Sequence, residues 1–254
     1  MKRTICLILG IVFVFSFSIN ACAISNDILR WYTKFPSNNA PPQLGQDQEI
    51  IRKYNAFFMH KNGAEEKKVI YLTFDVGYYN ENLASVLKTL KEQRVPASFF
   101  VLSHLVTANA DIVKQMGEDG HLICNHTARH KNMTNATKEE FQKELNTLEY
   151  LVKEYTGYEV AKFYRPPRGE YNEKNLAWAQ ELGYTTVFWS LAYDDWDNNR
   201  QQSSERAINL LSQRIHPGAI VLLHPTSQTN AKILNSLIEK WRAEGYTFAS
   251  LNEL

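Results

Sequence analysis

The chain has little cysteine, no bias of charge and no second long apolar run, and each shortage removes a class of protein. Of its three cysteines among 254 residues, Cys6 and Cys22 fall within the first 23. Cys124 is then alone, so no internal disulfide framework holds the fold. Its place at the end of the apolar run Leu122-Ile123-Cys124 marks it as a small packing residue rather than a nucleophile. Lysine and arginine number 28 against 27 aspartates and glutamates, a net charge of +1. Loss of Lys2 and Arg3 with a leader leaves 26 basic residues and a net charge of −1. That balance carries no whole-domain basic signature, and no nucleic-acid partner is expected. There is no internal repeat and no low-complexity tract, which excludes solenoids and tail-like segments.

The single long apolar run, Thr4 to Phe17, follows the basic pair Lys2-Arg3 and precedes Ala21-Cys22-Ala23. That order reads as a signal peptide over 1–23, cut before Ile24, and an extracytoplasmic, secreted protein is expected. The rival is an uncleaved signal retained as a membrane anchor, because the run with its flank approaches spanning length. Ile19-Asn20-Ala21 is a poor lead-in for lipidation at Cys22. The remaining length suits one soluble domain of barrel size.

Residues 24–66 form an N-terminal extension rich in breakers, such as Ser37-Asn38-Asn39-Ala40-Pro41-Pro42, expected to wrap the surface with a short helix near Ile50 to Phe58. From residue 67 to 254 the pattern is regular. β-rich runs at 69–74, 97–102, 121–124, 162–164, 185–189, 219–223 and 246–250 alternate with helical stretches at 81–93, 110–118, 138–155, 173–182, 204–214 and 230–243. Such alternation predicts parallel βα units, and seven strands allow a closed or nearly closed α/β barrel. The stretch 138–155 has a capping box in Thr137 and Glu140 and a stop in Gly157.

Polar residues stand just past five of these apolar runs, where parallel barrels collect their chemistry. Asp75 follows Val69 to Phe74, at a Gly-bearing turn that runs through Tyr78. It is either a turn former or a base awaiting a partner. His126 and His130 form an HxxxH pair; on one helical turn both imidazoles point the same way and can share a divalent ion. Arg165-Pro166-Pro167-Arg168-Gly169 is a stiff loop, suited to holding a guanidinium against a carboxylate or to an ordinary rim turn. Asp195 can orient a histidine, and Trp196 can stack on a sugar, although a surface acid beside a half-buried aromatic is the plainer reading. His224 closes the run 219–223; set opposite Asp195 it becomes a general acid with an orienting partner.

In this order the motifs Thr73-Phe74-Asp75-Val76-Gly77, His126 to His130, Arg165 to Gly169, Asp194-Asp195-Trp196 and Leu222-Leu223-His224 resemble the NodB-like polysaccharide deacetylases, carbohydrate esterase family 4. Arg165 to Glu170, Val187 to Trp196 and the aromatic preface with Trp31, Tyr54, Phe57 and Phe58 look most like the muramic δ-lactam-forming deacetylases of spore-forming bacteria. The resemblance implies a distorted (β/α)7 barrel. It further implies Asp75 as general base, Arg165 as its tuning partner, His126 and His130 as metal ligands, His224 as general acid and Asp195 as its orienter. A backbone amide near Arg168 is implied to hold the oxyanion. Arg168, Trp196 and Tyr78 are the implied substrate-binding side chains.

Two departures matter. The family carries a second, metal-ligating acid after the base; here that position is Val76. The δ-lactam branch also lacks that acid, having an amide there, so the departure fits the branch. The cofactor expected is a divalent metal ion, weakly held and of open identity among Zn, Mn, Mg and Co. Arg168 stands where many relatives have an aromatic, and a cation there can meet the lactyl carboxylate of muramic acid. The expected function is removal of N-acetyl groups from N-acetylmuramic acid in peptidoglycan glycan strands, leading to muramic δ-lactam in spore cortex, by a monomer with no stable protein partner. The rivals are a deacetylase of glucosamine in peptidoglycan or chitin, an acetyl-xylan esterase, and an inactive glycan-binding module.

Overall fold

A computed structural model describes residues 24–35, 40–61 and 68–254; the expected leader, Ser37 to Asn39 of the breaker tract and the boundary at 66/67 lie outside the described residues. The elements run β1 (Leu29–Arg30), β2 (Ala56–Phe57), β3 (Val69–Val76), α1 (Glu81–Gln93), β4 (Ala97–Val101), α2 (Ser103–Ala108), α3 (Ala110–Glu118), β5 (Leu122–Asn125), α4 (Lys138–Thr156), β6 (Ala161–Tyr164), β7 (Glu170–Tyr171), α5 (Glu173–Glu181), β8 (Thr185–Val187), α6 (Ser204–Arg214), β9 (Ala219–Leu223), α7 (Gln228–Ala243) and β10 (Thr247–Phe248).

The parallel path β9-β3-β4-β5-β6-β8 forms the wall of a barrel. The wall curls shut beyond β8. The amides of Ser190 and Leu191 donate to the Ile220 carbonyl at 3.0 and 3.2 Å, and the Leu222 amide donates to Leu191 at 2.9 Å. At the opposite end of that seam β2 lies parallel to β8, and the His60 amide reaches the Gly218 carbonyl at 2.8 Å. The seventh place in the wall is therefore filled from the N-terminal extension. The run expected at 246–250 shrinks to β10, which meets only Val69 and Ile70 of β3.

Two expectations for the extension are corrected. Residues 46–53 form a 3-10 helix, and the chain then straightens into β2 instead of remaining helical to Phe58. Ile50, Ile51, Tyr54, Phe57 and Phe58 do suit one helical face, but pairing to β8 satisfies backbone groups that a lone helical turn leaves open. Nor does the extension only wrap the surface. Trp31, Ile51, Ala56, Phe58 and Met59 are buried with Tyr171, Leu176 and Phe188 in a core of their own.

Strand β3 shows how the pattern places the chemistry. Side chains alternate faces along a strand. Ile70, Leu72, Phe74 and Val76 join the outer core with Leu83, Leu87 and Leu90 of α1 and Leu234, Leu237 and Trp241 of α7. Tyr71 belongs to the inner cluster with Phe100, Cys124, Val187 and Ile220, and Thr73 and Asp75 share its face. Fully burying one such aliphatic side chain stabilises the fold by about 1.5–3 kcal/mol, so the outer layer clamps the strand that presents Asp75. The expected capping box of α4 is present: Thr137 Oγ1 accepts from the Glu140 amide at 3.2 Å, and Glu140 Oε2 accepts from the Thr137 amide at 2.9 Å. Among the described residues no helix is long and apolar enough to cross a membrane.

Candidate active site

Asp75 stands at the carboxyl end of β3, and its Oδ1 accepts from Arg165 Nη1 at 2.7 Å. Arg165 enters from the loop after β6, its own amide donating to the Asn125 carbonyl at 3.0 Å. The guanidinium is wholly buried, and its other two nitrogens are bonded as well. Nε donates to the Val187 carbonyl at 3.0 Å, and Nη2 to Thr73 Oγ1 at 2.8 Å and to the Phe188 carbonyl at 3.3 Å. It also lies 4.0 Å from the Phe100 ring centre, a cation–π contact. Burial pushes the Asp75 carboxyl upward, but Arg165, with His126 and His224, outweighs it and holds Asp75 below the ordinary carboxylate range.

His126 and His130 do converge, with ring centres 4.9 Å apart. The route corrects the expected helical turn. They sit on an irregular loop after β5 in which Thr127 and His130 both take left-handed backbone, at φ 68° and 56°. Such a conformation costs about 1–3 kcal/mol per residue unless its surroundings impose it. Here they do. The Thr127 amide donates to Asn125 Oδ1 at 2.9 Å, the His130 amide to Thr127 Oγ1 at 3.0 Å and the Arg129 amide to the buried Glu144 of α4 at 3.0 Å.

His126 Nδ1 faces the Arg165 carbonyl at 2.9 Å, and since a carbonyl only accepts, Nδ1 carries the hydrogen. Nε2 keeps its lone pair, 3.5 Å from Asp75 Oδ2. Burial keeps His126 below the ordinary imidazole range, and burial followed by His126 pushes His130 down to about 4. Two neutral imidazoles, one oriented by a carbonyl, are what a divalent ion requires. Among the described residues no group of three His, Cys, Asp or Glu side chains is placed to share an ion. Val76, buried in the outer core, adds nothing to the inner face. The donor set fits a two-imidazole site with Asp75 alongside.

Opposite, His224 follows β9. Its Nδ1 and its amide both donate to the carboxylate of the buried Asp195, to Oδ1 and Oδ2 at 2.7 Å each. Burial works against a charged imidazole there, but Asp195 overrides it, and His224 titrates above its ordinary range. Asn230, in the first turn of α7, is a residue that the motifs missed. Its Nδ2 donates to Asp195 Oδ2 at 2.5 Å and to the His224 carbonyl at 2.9 Å. The only sequence signal for it is its position three residues after the helix cap Ser227.

These groups share one cleft of about 630 Å³, within the range of small-ligand sites, whose walls include Asp75, His126, His130, Arg168, Trp196 and His224. Arg168 takes left-handed backbone at φ 59°, which turns the loop at the cleft wall. Tyr78 is not among the lining residues; it is exposed, and its hydroxyl accepts from Asn198 Nδ2 at 2.6 Å. Tyr32 and Thr33 of the extension also line the cleft, a contribution no motif signalled.

Comparison with known proteins shows the family and the fold. The family model described as polysaccharide deacetylase matches residues 62–187, ending short of Asp195 and His224. The peptidoglycan N-acetylmuramic acid deacetylase PdaA of Bacillus subtilis is 39% identical over 233 residues, covering 91% of this chain and 88% of the relative. A structure of PdaA, described as a family 4 carbohydrate esterase, superposes with a TM-score of 0.87 at 38% identity, covering 91% of this chain and 98% of that one. A peptidoglycan N-acetylglucosamine deacetylase of Bacillus cereus is 31% identical over 205 residues, covering 79% and 72%.

Proposed function

This chain belongs to the polysaccharide deacetylase family, and from that premise we propose that it hydrolyses N-acetyl groups from N-acetylmuramic acid residues of peptidoglycan glycan strands. The observation that carries the proposal is the pairing across one cleft of a carboxylate fixed by Arg165 with an imidazole fixed by Asp195. One group is set to take a proton and the other to give one. Amide hydrolysis needs both.

Asp75 Oδ1 is committed to Arg165, so Oδ2 is the oxygen that accepts the proton of an attacking water. The water oxygen bonds to the acetyl carbonyl carbon and places negative charge on the carbonyl oxygen. The Gly169 amide already donates to Pro166 at 3.0 Å, which leaves the Arg168 amide as the candidate to receive that charge. His224, protonated at Nδ1 toward Asp195, gives its Nε2 proton to the sugar nitrogen as the carbon–nitrogen bond breaks, releasing acetic acid and a free amine. His126 and His130 are the residues that would hold a divalent ion, which when bound would supply Lewis acidity to the reaction.

Muramic acid rather than glucosamine is favoured by Arg168, because the lactyl carboxylate is the one charge that muramic acid adds. The same resemblance supports closure of the freed amine on that carboxyl to give the δ-lactam of spore cortex, and the leader pattern supports export. Acetate release from peptide-stripped glycan tests the core of the reading. Asp75→Asn is expected to lower it by about a hundred- to ten-thousandfold; turnover within tenfold of the wild type sinks the assignment of the base.

A further inference from the structure

The cleft wall contributed by the N-terminal extension is built as firmly as the catalytic loops it faces. Residues 29–33 lie across the Arg165 to Gly169 loop. β1 pairs antiparallel with β7, and the Trp31 amide donates to the Gly169 carbonyl at 2.8 Å. Trp31 points inward, its Nε1 donating to the Trp189 carbonyl at 2.9 Å and its ring stacked on Phe188 at 4.4 Å. The fit is so close that a Cβ on Gly169 would come within 3.0 Å of both Trp31 Cβ and the Trp189 ring. Its neighbour Tyr32 is 38% exposed and is among the residues that line the cleft.

Tyr32 is fixed from three sides. The fully buried Gln48 donates to its carbonyl at 2.8 Å, its hydroxyl donates to Asp47 Oδ1 at 3.0 Å, and Lys34 Nζ lies 5.7 Å from its ring centre. Across the same cleft Trp196 is 66% exposed. Two aromatic faces on one cleft suit the flat, C–H-bearing faces of successive sugars, and an amphipathic ring held in place loses little entropy on binding.

We propose that Tyr32 forms a second sugar-binding subsite, holding the residue next to the one that is deacetylated and so setting a preference for glycan chains over single sugars. This rests on the glycan-deacetylase reading above. The test measures kcat and KM of acetate release from a single N-acetyl sugar and from a tetrasaccharide of peptide-stripped glycan. Tyr32→Ala is expected to cut the wild-type advantage of the tetrasaccharide in kcat/KM by about fivefold or more, through KM, on the scale of one aromatic contact. Tyr32→Phe keeps the ring and is expected to keep the advantage. An unchanged chain-length advantage in Tyr32→Ala overturns the proposal, and so does an equal loss in Tyr32→Phe, which would assign the effect to the bond with Asp47. Tyr32→Leu serves should the alanine variant not fold. If the wild type released no acetate from any glycan, the functional reading would fail separately. Calorimetric titration of fully deacetylated tetrasaccharide into wild type and Tyr32→Ala would then decide the subsite, with equal affinities rejecting it.

Discussion

Replacing Asp195 by asparagine asks whether His224 is a true general acid, and the structure dictates how the amide must sit. Asp195 Oδ2 receives two donors, the His224 amide at 2.7 Å and Asn230 Nδ2 at 2.5 Å. The amide oxygen has to occupy that place, since its NH2 there would face two donors. The NH2 is therefore directed at His224 Nδ1, where Oδ1 had accepted at 2.7 Å. His224 Nδ1 must then become an acceptor, which confines the ring to a neutral tautomer protonated at Nε2. A neutral imidazole is a feeble acid toward the departing amine. The whole general-acid contribution is at stake, about a hundred- to ten-thousandfold in kcat or ~3–5 kcal/mol. The pH profile supplies a signature that misfolding would not. In the wild type, activity is expected to need His224 charged and to fail as pH rises through its raised pKa; the acid limb is expected below the usual carboxylate range because Arg165 keeps Asp75 ionised. With Asp195 gone, burial dominates His224 and the alkaline limb moves to lower pH. Steady-state acetate release across pH, with a melting curve to confirm folding, is the assay. A kcat within tenfold of the wild type and an alkaline limb that stays in place would refute the reasoning.

Arg168→Ala is expected to weaken kcat/KM on muramic-acid glycan by about tenfold or more and on glucosamine glycan far less, a charged hydrogen bond being worth about 1.5–3 kcal/mol; equal losses would remove the carboxylate role. Gly169→Ala imposes a side chain at φ +65° and within 3.0 Å of Trp31, so thermal unfolding is expected to show a loss of about 1–3 kcal/mol. Dialysis against a chelator is expected to abolish turnover, with titrated divalent metal restoring it, and His130→Ala is expected to raise the metal concentration needed by tenfold or more, read by calorimetry as well as by rate. Tight binding in His130→Ala would move the ion away from the histidine pair.

Legibility in the sequence followed the range of the interactions. The box and stop of α4 are contacts within a few residues of each other, so Thr137, Glu140 and Gly157 could be read directly, and Gly157 indeed takes φ 78°. The start of α7 was less clear, since Ser227 was not recognised as its cap and the helix begins at Gln228. The strand ends carrying Asp75 and His224 were visible because an apolar run breaks at each. β2 was invisible because two residues contain no period, and its reason for existing lies on β8, 130 residues away. The histidine pair was legible as a pair but not as a shape. HxxxH fits a helix, but side-chain bonds from neighbouring Asn125 and Thr127 and from Glu144 of α4 hold it as a loop with two left-handed residues. Asn230 was hidden for a similar reason, being 35 residues from the carboxylate that it serves.

The charges of the two halves of the site belong to a single argument. Asp75 is stabilised as an anion by Arg165, and His224 as a cation by Asp195, so before reaction the four groups sum to no net charge. Taking a proton onto Asp75 and giving one from His224 neutralises both without changing that sum. The two proton transfers therefore leave the summed charge of these four buried side chains unchanged. Val76, the residue after Asp75, turns into the outer core and adds no charge to the inner face.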